Sequence, residues 1–541
     1  MPTHEFSGII RPGAGTVDGW SPPLVREDEA CVAQNMKPLN GKWVKRGGTV
    51  STGAGTSSTT VRNLFHAYGT DASAALVVRI KVTGTILEYK VGAGAWTSFK
   101  TGLTAGTYWV GAFYKGHLYM CDGVNTPQDI TIANPPTVTN WVTLPSGINP
   151  SWVVLHYNRL RYGGDQTTPN YYYMTNVGDP NTTTTTDFYL QPDDQNGNYP
   201  KIAVVNNNRV GLFCQDFLVA QSGAGPFTDQ FYPLPRGAAC IAWRSVVDMG
   251  EFGVFYMTER GIFSWDLQGP PVPIDPFGRI NWSNFDFTTE ALTWAVRVGD
   301  EYRIYGKSKG DITNTEASAA AILASSTAYT LTAALAAART ARTLTAFTTA
   351  TTCDFYYSYD CRLRQFSGPH TGGHLCGAWE QYRYGDTQTL WVGSAAADGK
   401  VWKADQQSAF TDDSTTAIVC LLRTGAMGNR RRRTQVQRIT AEFGVVDASA
   451  EAAVQISVYQ NGKQATTTEP CAQYSVGISR RSSVGTPSTY ADVEDCEDFV
   501  IDERDIEYTQ RILPQPQVEF YYAGQSAFEI RSYEIDFTGE Q

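Results

Sequence analysis

Three stretches of this 541-residue chain hold side chains that could do chemistry. The first, GPHTGGHLCG, puts His370, His374 and Cys376 within seven residues, and imidazole and thiolate are ligand types that zinc takes. Its glycines read as a loop and no fourth ligand is evident, so no metal site is expected. The second, DVEDCEDFVIDERDIE from Asp492 to Glu507, carries nine carboxylates in sixteen residues. Oxygen-rich loops hold calcium, but the spacing lacks the glycine of an EF-hand loop, and a solvated acidic edge is the plainer reading. The third is the run Arg430, Arg431, Arg432, Arg433. Four adjacent guanidinium groups repel one another unless something acidic faces them. That partner is the same domain, a neighbouring subunit or DNA phosphate, with a protein partner favoured.

Other chemistry is missing from the pattern. The chain has no GxxxxGK[ST] phosphate loop and no HExxH zinc helix, no GxSxG nucleophile elbow, and no aspartate box of the kind that marks sialidase blades. Paired carboxylates for glycoside hydrolysis cannot be picked out before a fold is known. No enzymatic activity and no cofactor are expected. The net charge of -10 makes the average surface repel nucleic-acid phosphate, so any role with DNA is passage or containment. The N-terminus lacks the basic-then-apolar pattern of a secretory signal, and no apolar window approaches the length that spans a bilayer. Ten cysteines without a CxxC pair suggest buried free thiols in a reducing compartment. Cys353 with Cys361 is the first choice if any pair is oxidised.

The elements that must position these residues are strands. FGVFYMTERGIFSWDL (Phe252 to Leu267) alternates with a period of two on both sides of a glycine-bearing turn, which is a β-hairpin pattern. The shape recurs from Trp109 to Asp122, Trp152 to Asp165, Ala203 to Asp216, Ala295 to Ser308 and Trp391 to Asp405, with an earlier version from Ala75 to Val91. Three copies share an aspartate at one offset: Asp122, Asp266 and Asp405. Hairpins spaced by about 40 to 50 residues are the signature of a β-propeller, whose blades cannot bury their faces alone. The fold class is therefore all-β, a propeller of six to eight blades over 61–406. Gly/Pro/Ser/Thr-rich residues 1–60 lack a sustained period and form an extended N-terminal arm, either a flexible leader or an arm that folds against a partner. Residues 407–541 alternate again and make a C-terminal β-sandwich. The Ala/Thr-rich segment 310–352 interrupts the pattern between two strand-like runs. It is an insertion within one blade, either a flap over that blade or an element of a subunit contact or channel.

The stretch GWSPPLVREDEACVAQNMKPLNGKWVKRGGT (Gly19 to Thr49) resembles the opening of bacteriophage virion proteins of the tail-nozzle type, also called tail tubular protein B-like or packaged-DNA-stabilisation proteins. The matching positions are Pro22, Pro23, Glu29, Ala30, Asn35, Gly41, Lys45, Arg46 and Gly47. The end of the chain is similar too, with a basic cluster, a strand, and a final strand pair closing on an acidic-aromatic run. This resemblance implies a structural role in the virion: a homo-oligomeric ring, of six subunits, below the portal and its adaptor. Such a ring is assembled in the host cytoplasm, meets tail fibres or tip proteins, and retains double-stranded DNA that later passes through without sequence-specific binding. It implies subunit or adaptor contacts at Pro22, Pro23, Asn35, Lys45, Arg46 and Arg430 to Arg433. From another class, a glycan-binding or glycan-cleaving propeller of a phage tail would stack exposed Trp and Tyr on sugars.

Overall fold

Every hairpin marked above seeds a different four-stranded antiparallel blade, and among the described residues there are seven. The computed structural model describes residues 3–6, 14–17, 25–26, 29–68, 77–141, 147–183, 188–189, 199–234, 239–287, 292–308, 353–381, 388–406, 411–412, 416–425 and the strands of 434–539, apart from a few single positions and short loops. Pro22, Pro23, the arginine run 430–433 and the insertion 310–352 lie outside them. Blades 1 to 6 follow the chain, with inner strands Val61–Tyr68, Val110–Tyr114, Trp152–His156, Ile202–Asn206, Ala242–Asp248 and Trp294–Val298. Blade 7 begins with His374–Gln381. The runs flanking the insertion pair as neighbouring strands of blade 6, Glu301–Gly306 with Phe355–Asp360.

The seven seeds gave the right number of blades in a mixed register. Four of them are first hairpins, joining the inner strand to the second, as in blade 2. The other three, in blades 1, 5 and 7, join the second strand to the third. Asp122 therefore follows a second strand and Asp266 a third strand, while Asp405 lies near the end of a third strand. Asp122 and Asp266 do share a local role, each accepting two backbone N–H groups of the following loop. Asp405 does something else, described below. Blades 2, 3 and 4 turn their first hairpins on two residues with positive φ, Lys115-Gly116, Tyr157-Asn158 and Asn207-Asn208, the geometry that matches the twist of two paired strands.

Seven apolar clusters fill the seven gaps between blades. Between blades 2 and 3 lie Tyr119, Trp141, Tyr162 and Tyr173, and between blades 5 and 6 lie Phe255, Met257, Tyr302, Ile304 and Tyr357. Full burial of each such side chain stabilises by about 1.5–3 kcal/mol, which is why the aromatic content is high.

The described strands of residues 1–60 pair within this chain, where an arm folded against a separate partner was expected. Gly48–Ser51 is the outer strand of blade 7, bonded to Val401–Gln406, so the ring is closed by strands from opposite ends of the sequence. Upstream, Ala30–Gln34, Met36–Leu39 and Lys42–Lys45 belong to the sandwich. One of its sheets runs Ala30–Gln34, Cys420–Thr424, Gln517–Tyr522, Ala452–Tyr459, Ala472–Ile478 and is continuous with blade 6 through Ala33 and Gly368. The other contains Met36–Leu39, Lys42–Lys45, Phe528–Gly539, Thr434–Val445 and Glu497–Ile501, with Thr3–Phe6 beside Phe528–Gly539. The sheets meet face to face through Phe520 and Tyr533, ring centroids 5.7 Å apart.

The eight described cysteines are buried free thiols. Cys353 and Cys361 flank the strand Phe355–Asp360 at opposite ends, about 25 Å apart at strand rise, which rules out the disulfide considered for them.

Candidate functional site

A cleft of about 480 Å³ lies where the sandwich meets blades 6 and 7. Its floor is a four-membered ion cluster assembled from three distant parts of the chain. Lys37, on a sandwich strand, places Nζ 3.4 Å from Glu301 Oε2 and 3.5 Å from Asp405 Oδ2. Arg303, one residue past a residue facing the opposite side of blade 6, donates to Glu301 Oε2 at 2.9 Å through Nε and pairs with Asp405. Asp405 reaches this position because its backbone is left-handed, φ 54°, at a shift in the register between Val401–Gln406 and Gly48–Ser51. Gly47 lies against that turn so closely that a Cβ would come within 2.6 Å of the Asp405 carbonyl carbon.

Burial alone would raise the Glu301 carboxyl, but Lys37 and Arg303 hold it below the usual range. The same opposition, with Arg303 foremost among the cations, leaves Asp405 far below it. Glycoside hydrolysis calls for a carboxyl raised above its usual range as proton donor, the opposite of the direction held here. Ser367 Oγ lies 3.1 Å from His370 Nε2, the reach of a nucleophile and its base. His370, however, is fully buried, and burial together with Lys37, Arg46 and Arg303 lowers its pKa well below the ordinary value, making it a poor base. Lys45 is pushed down to about 8 by burial, with Arg46 adding to the effect. Only 2% of it is exposed, and its ammonium lies over the Tyr522 ring at 5.2 Å, inside the sandwich. The cleft is built as a junction between domains.

Three of the expected contact residues sit in that junction, which corrects their assignment to a subunit or adaptor contact. Asn35, Lys45 and Arg46 are 0%, 2% and 4% exposed and so present no side chain to another molecule. Asn35 Oδ1 accepts from Arg46 Nε and from the Thr371 N–H, both at 2.8 Å, while its Nδ2 donates to the Val419 carbonyl at 2.7 Å. Arg46 also grips Asp412 with both terminal nitrogens, at 3.1 and 2.5 Å. These two residues tie the chain between sandwich and propeller to the outer strand of blade 6.

The metal-type cluster separates in the same way. His370 packs on Tyr356, His374 lies on the inner strand of blade 7, and the Cys376 thiol points at the Val61 carbonyl, 3.5 Å away in blade 1. Among the described residues no group of three metal-ligating side chains converges.

A residue the sequence did not mark links blade 5 to blades 7 and 1. Arg244, at a register shift in the inner strand of blade 5, donates to the carbonyls of Leu375 in blade 7 and Arg62 in blade 1, at 2.7 and 3.3 Å. Its guanidinium stacks 3.9 Å over Tyr108, which also bonds Arg62 at 2.9 Å. Lys37, Glu301 and Arg303 were also unmarked. Only Asp405 carried a signal, through its repeated offset.

No family model matches the chain, and no curated protein does. Among solved structures it is similar to the WD40 repeats of RRP9, 8% identical over 67% of this chain and 99% of that one, with a TM-score of 0.39. It is also similar to YCF48 bound to D1 peptide, 8% identical over 67% and 96% with a TM-score of 0.35. A streptogramin B lyase is 10% identical over 66% and 97% with a TM-score of 0.36.

Proposed function

We propose that this chain is a structural component of a bacteriophage tail, a nozzle-like subunit of a ring beneath the portal and adaptor that retains packaged DNA and forms the channel for its ejection. The observation that carries the reading is where the two resembling ends of the chain meet. The opening segment supplies Ala30–Gln34, Met36–Leu39 and Lys42–Lys45, the closing segment supplies Gln517–Tyr522 and Phe528–Gly539, and all five strands belong to one sandwich. The likeness thus concerns one folded unit, locked to the propeller by Lys37 and Arg46. A rigid two-domain body suits a ring subunit, because a hinge at the junction would spread the angle between neighbours and prevent closure.

In this reading the propeller bore is not the conduit, because Arg244 links blade 5 to blades 7 and 1. DNA passes between subunits, along walls whose net charge of -10 per chain leaves the polyanion ungripped. Size exclusion with light scattering, followed by electron microscopy of the purified protein with its adaptor, tests this. A ring of about six chains with an axial opening wide enough for a duplex is expected; a chain that stays monomeric with adaptor present would overturn the proposal.

A further inference from the structure

The sequence allowed a sugar-binding role without locating a site, and one face of the propeller has the makings of it. The inner strands of blades 1, 2 and 3 end on the same face, and each leaves an aromatic ring exposed there: Tyr68 at 41%, Phe113 at 42% and Tyr157 at 45%. Most aromatic rings of the propeller are instead packed between blades. Phe113 stands between two buried neighbours, Ala112 and Tyr114, so the strand's own alternation turns it outward. Tyr68 and Phe113 line a cavity of about 270 Å³ that also takes in Lys115 and His117. This is slightly below the ~300–1,000 Å³ of sites for drug-sized molecules.

The polar side of the cavity is pre-arranged. His117 Nδ1 lies 2.6 Å from Asp129 Oδ1 on the neighbouring strand, and the ring stacks on Tyr119 with an interplanar angle of 16°. A carboxylate accepts the Nδ1 proton, so in the neutral imidazole Nε2 is left as a hydrogen-bond acceptor in a fixed direction. Lys115 and Asp129 balance each other in charge, and the Lys115 ammonium already donates to the Gly178 carbonyl. The Tyr157-Asn158 turn is fastened to blade 2 by Tyr114 Oη, 2.8 Å from Asn158 Oδ1, so the third aromatic residue is held next to blade 2.

We infer that this face binds a neutral oligosaccharide, with sugar rings against Phe113 and Tyr68 and a hydroxyl donated to His117. A sugar offers a C–H face to an aromatic ring and hydroxyls at its edge, which matches apolar walls with a few oriented polar groups. A nucleic acid would need more cations than Lys115 provides. The inference does not rest on the ring proposal, since it concerns one propeller face of a single chain.

Saturation-transfer NMR on the full-length protein with maltohexaose, cellohexaose and chitohexaose, and with a heparin hexasaccharide and a DNA duplex as anionic probes, tests it. Binding of at least one neutral hexasaccharide is expected, weakened tenfold or more by Phe113→Ala and by Tyr68→Ala, and three- to tenfold by Asp129→Asn. No transfer to any neutral probe, binding indifferent to Phe113→Ala, or a preference for heparin or DNA would each overturn it. Light scattering of the same variants reads the assembly separately.

Discussion

The seam between blades 5 and 6 and the seam that closes the ring between blades 7 and 1 do the same job with different materials. The first is aromatic and aliphatic, with Phe255 against Tyr302 at 5.4 Å and Phe285 against Phe355 at 4.7 Å. The second buries charge among its apolar residues. Lys81 and Glu88 are paired at 3.1 Å with both side chains fully buried, and Lys81 also donates to the Gly399 carbonyl of blade 7 at 2.8 Å. Arg79 holds Glu380 with two bonds, at 3.1 and 2.6 Å, and lies over Trp391 at 4.3 Å. Blades 5 and 6 are consecutive in sequence, so adhesion suffices to bring them together. Arg79 and Glu380 are 301 positions apart, and loop closure over that distance must select one partner from many sticky edges. A bidentate ion pair is directional where an aromatic contact is tolerant, so the closing seam gains register from it at the expense of desolvation.

The largest effect that would break this contrast comes from the outer edge of the same seam. Removing residues 1 to 52 takes away Gly48–Ser51 and four sandwich strands, and should abolish cooperative unfolding in urea; a truncated chain that unfolds with the full-length midpoint would mean that the closing strand is dispensable. Next, Glu380→Gln leaves Arg79 buried and uncompensated and should cost about 3–5 kcal/mol, while the double variant Arg79→Met with Glu380→Leu should recover more than half of that. A double-mutant cycle measures the coupling. Phe255→Leu in the aromatic seam should cost about 1–2 kcal/mol, and pairing it with Tyr302→Phe should add with little coupling. Strong coupling there and none at Arg79 would reverse the contrast.

Acid sharpens it further. His66, in the closing seam, is held down to about 3 by burial, with Arg79 adding to the effect, and His374 to about 4, again chiefly by burial. Both folded values lie below that of an unfolded histidine, so their contribution to stability is present above pH 6.5 and lost as pH falls toward 4. Unfolding free energies from urea titrations should drop over that range, by roughly 3 kcal/mol for His66, and His66→Leu should flatten the profile. The smallest effect belongs to the junction. Lys37→Ala, at a side chain still 20% exposed, should cost about 1 kcal/mol or less and become harder to detect in high salt.

The repeated blades and the all-β class were legible because each hairpin announces itself locally, through alternation and a turn. Which hairpin is the first of its blade was not legible. Phe252 to Leu267 and Trp109 to Asp122 have the same period of two, yet one lies a strand further out than the other. Lys45 and Arg46 were expected at a subunit or adaptor contact, and the structure turns Arg46 inward because Asp412, Asn35 and Thr371 are there to receive the guanidinium.

What the sequence by itself determined is therefore what short-range chemistry encodes: strands, turns, six to eight repeating units, a second β-domain, and free thiols in place of a disulfide framework. Only the tertiary structure decided that Gly-Thr-Val-Ser at 48–51 completes the last blade, that Lys37 meets Glu301 and Asp405, and that Arg244 links blade 5 to blades 7 and 1. The physical reason is that an alternating segment specifies which of its faces is buried but not what covers it. For a strand of four residues, the partner more than 350 positions away is chosen by the closure of the whole ring.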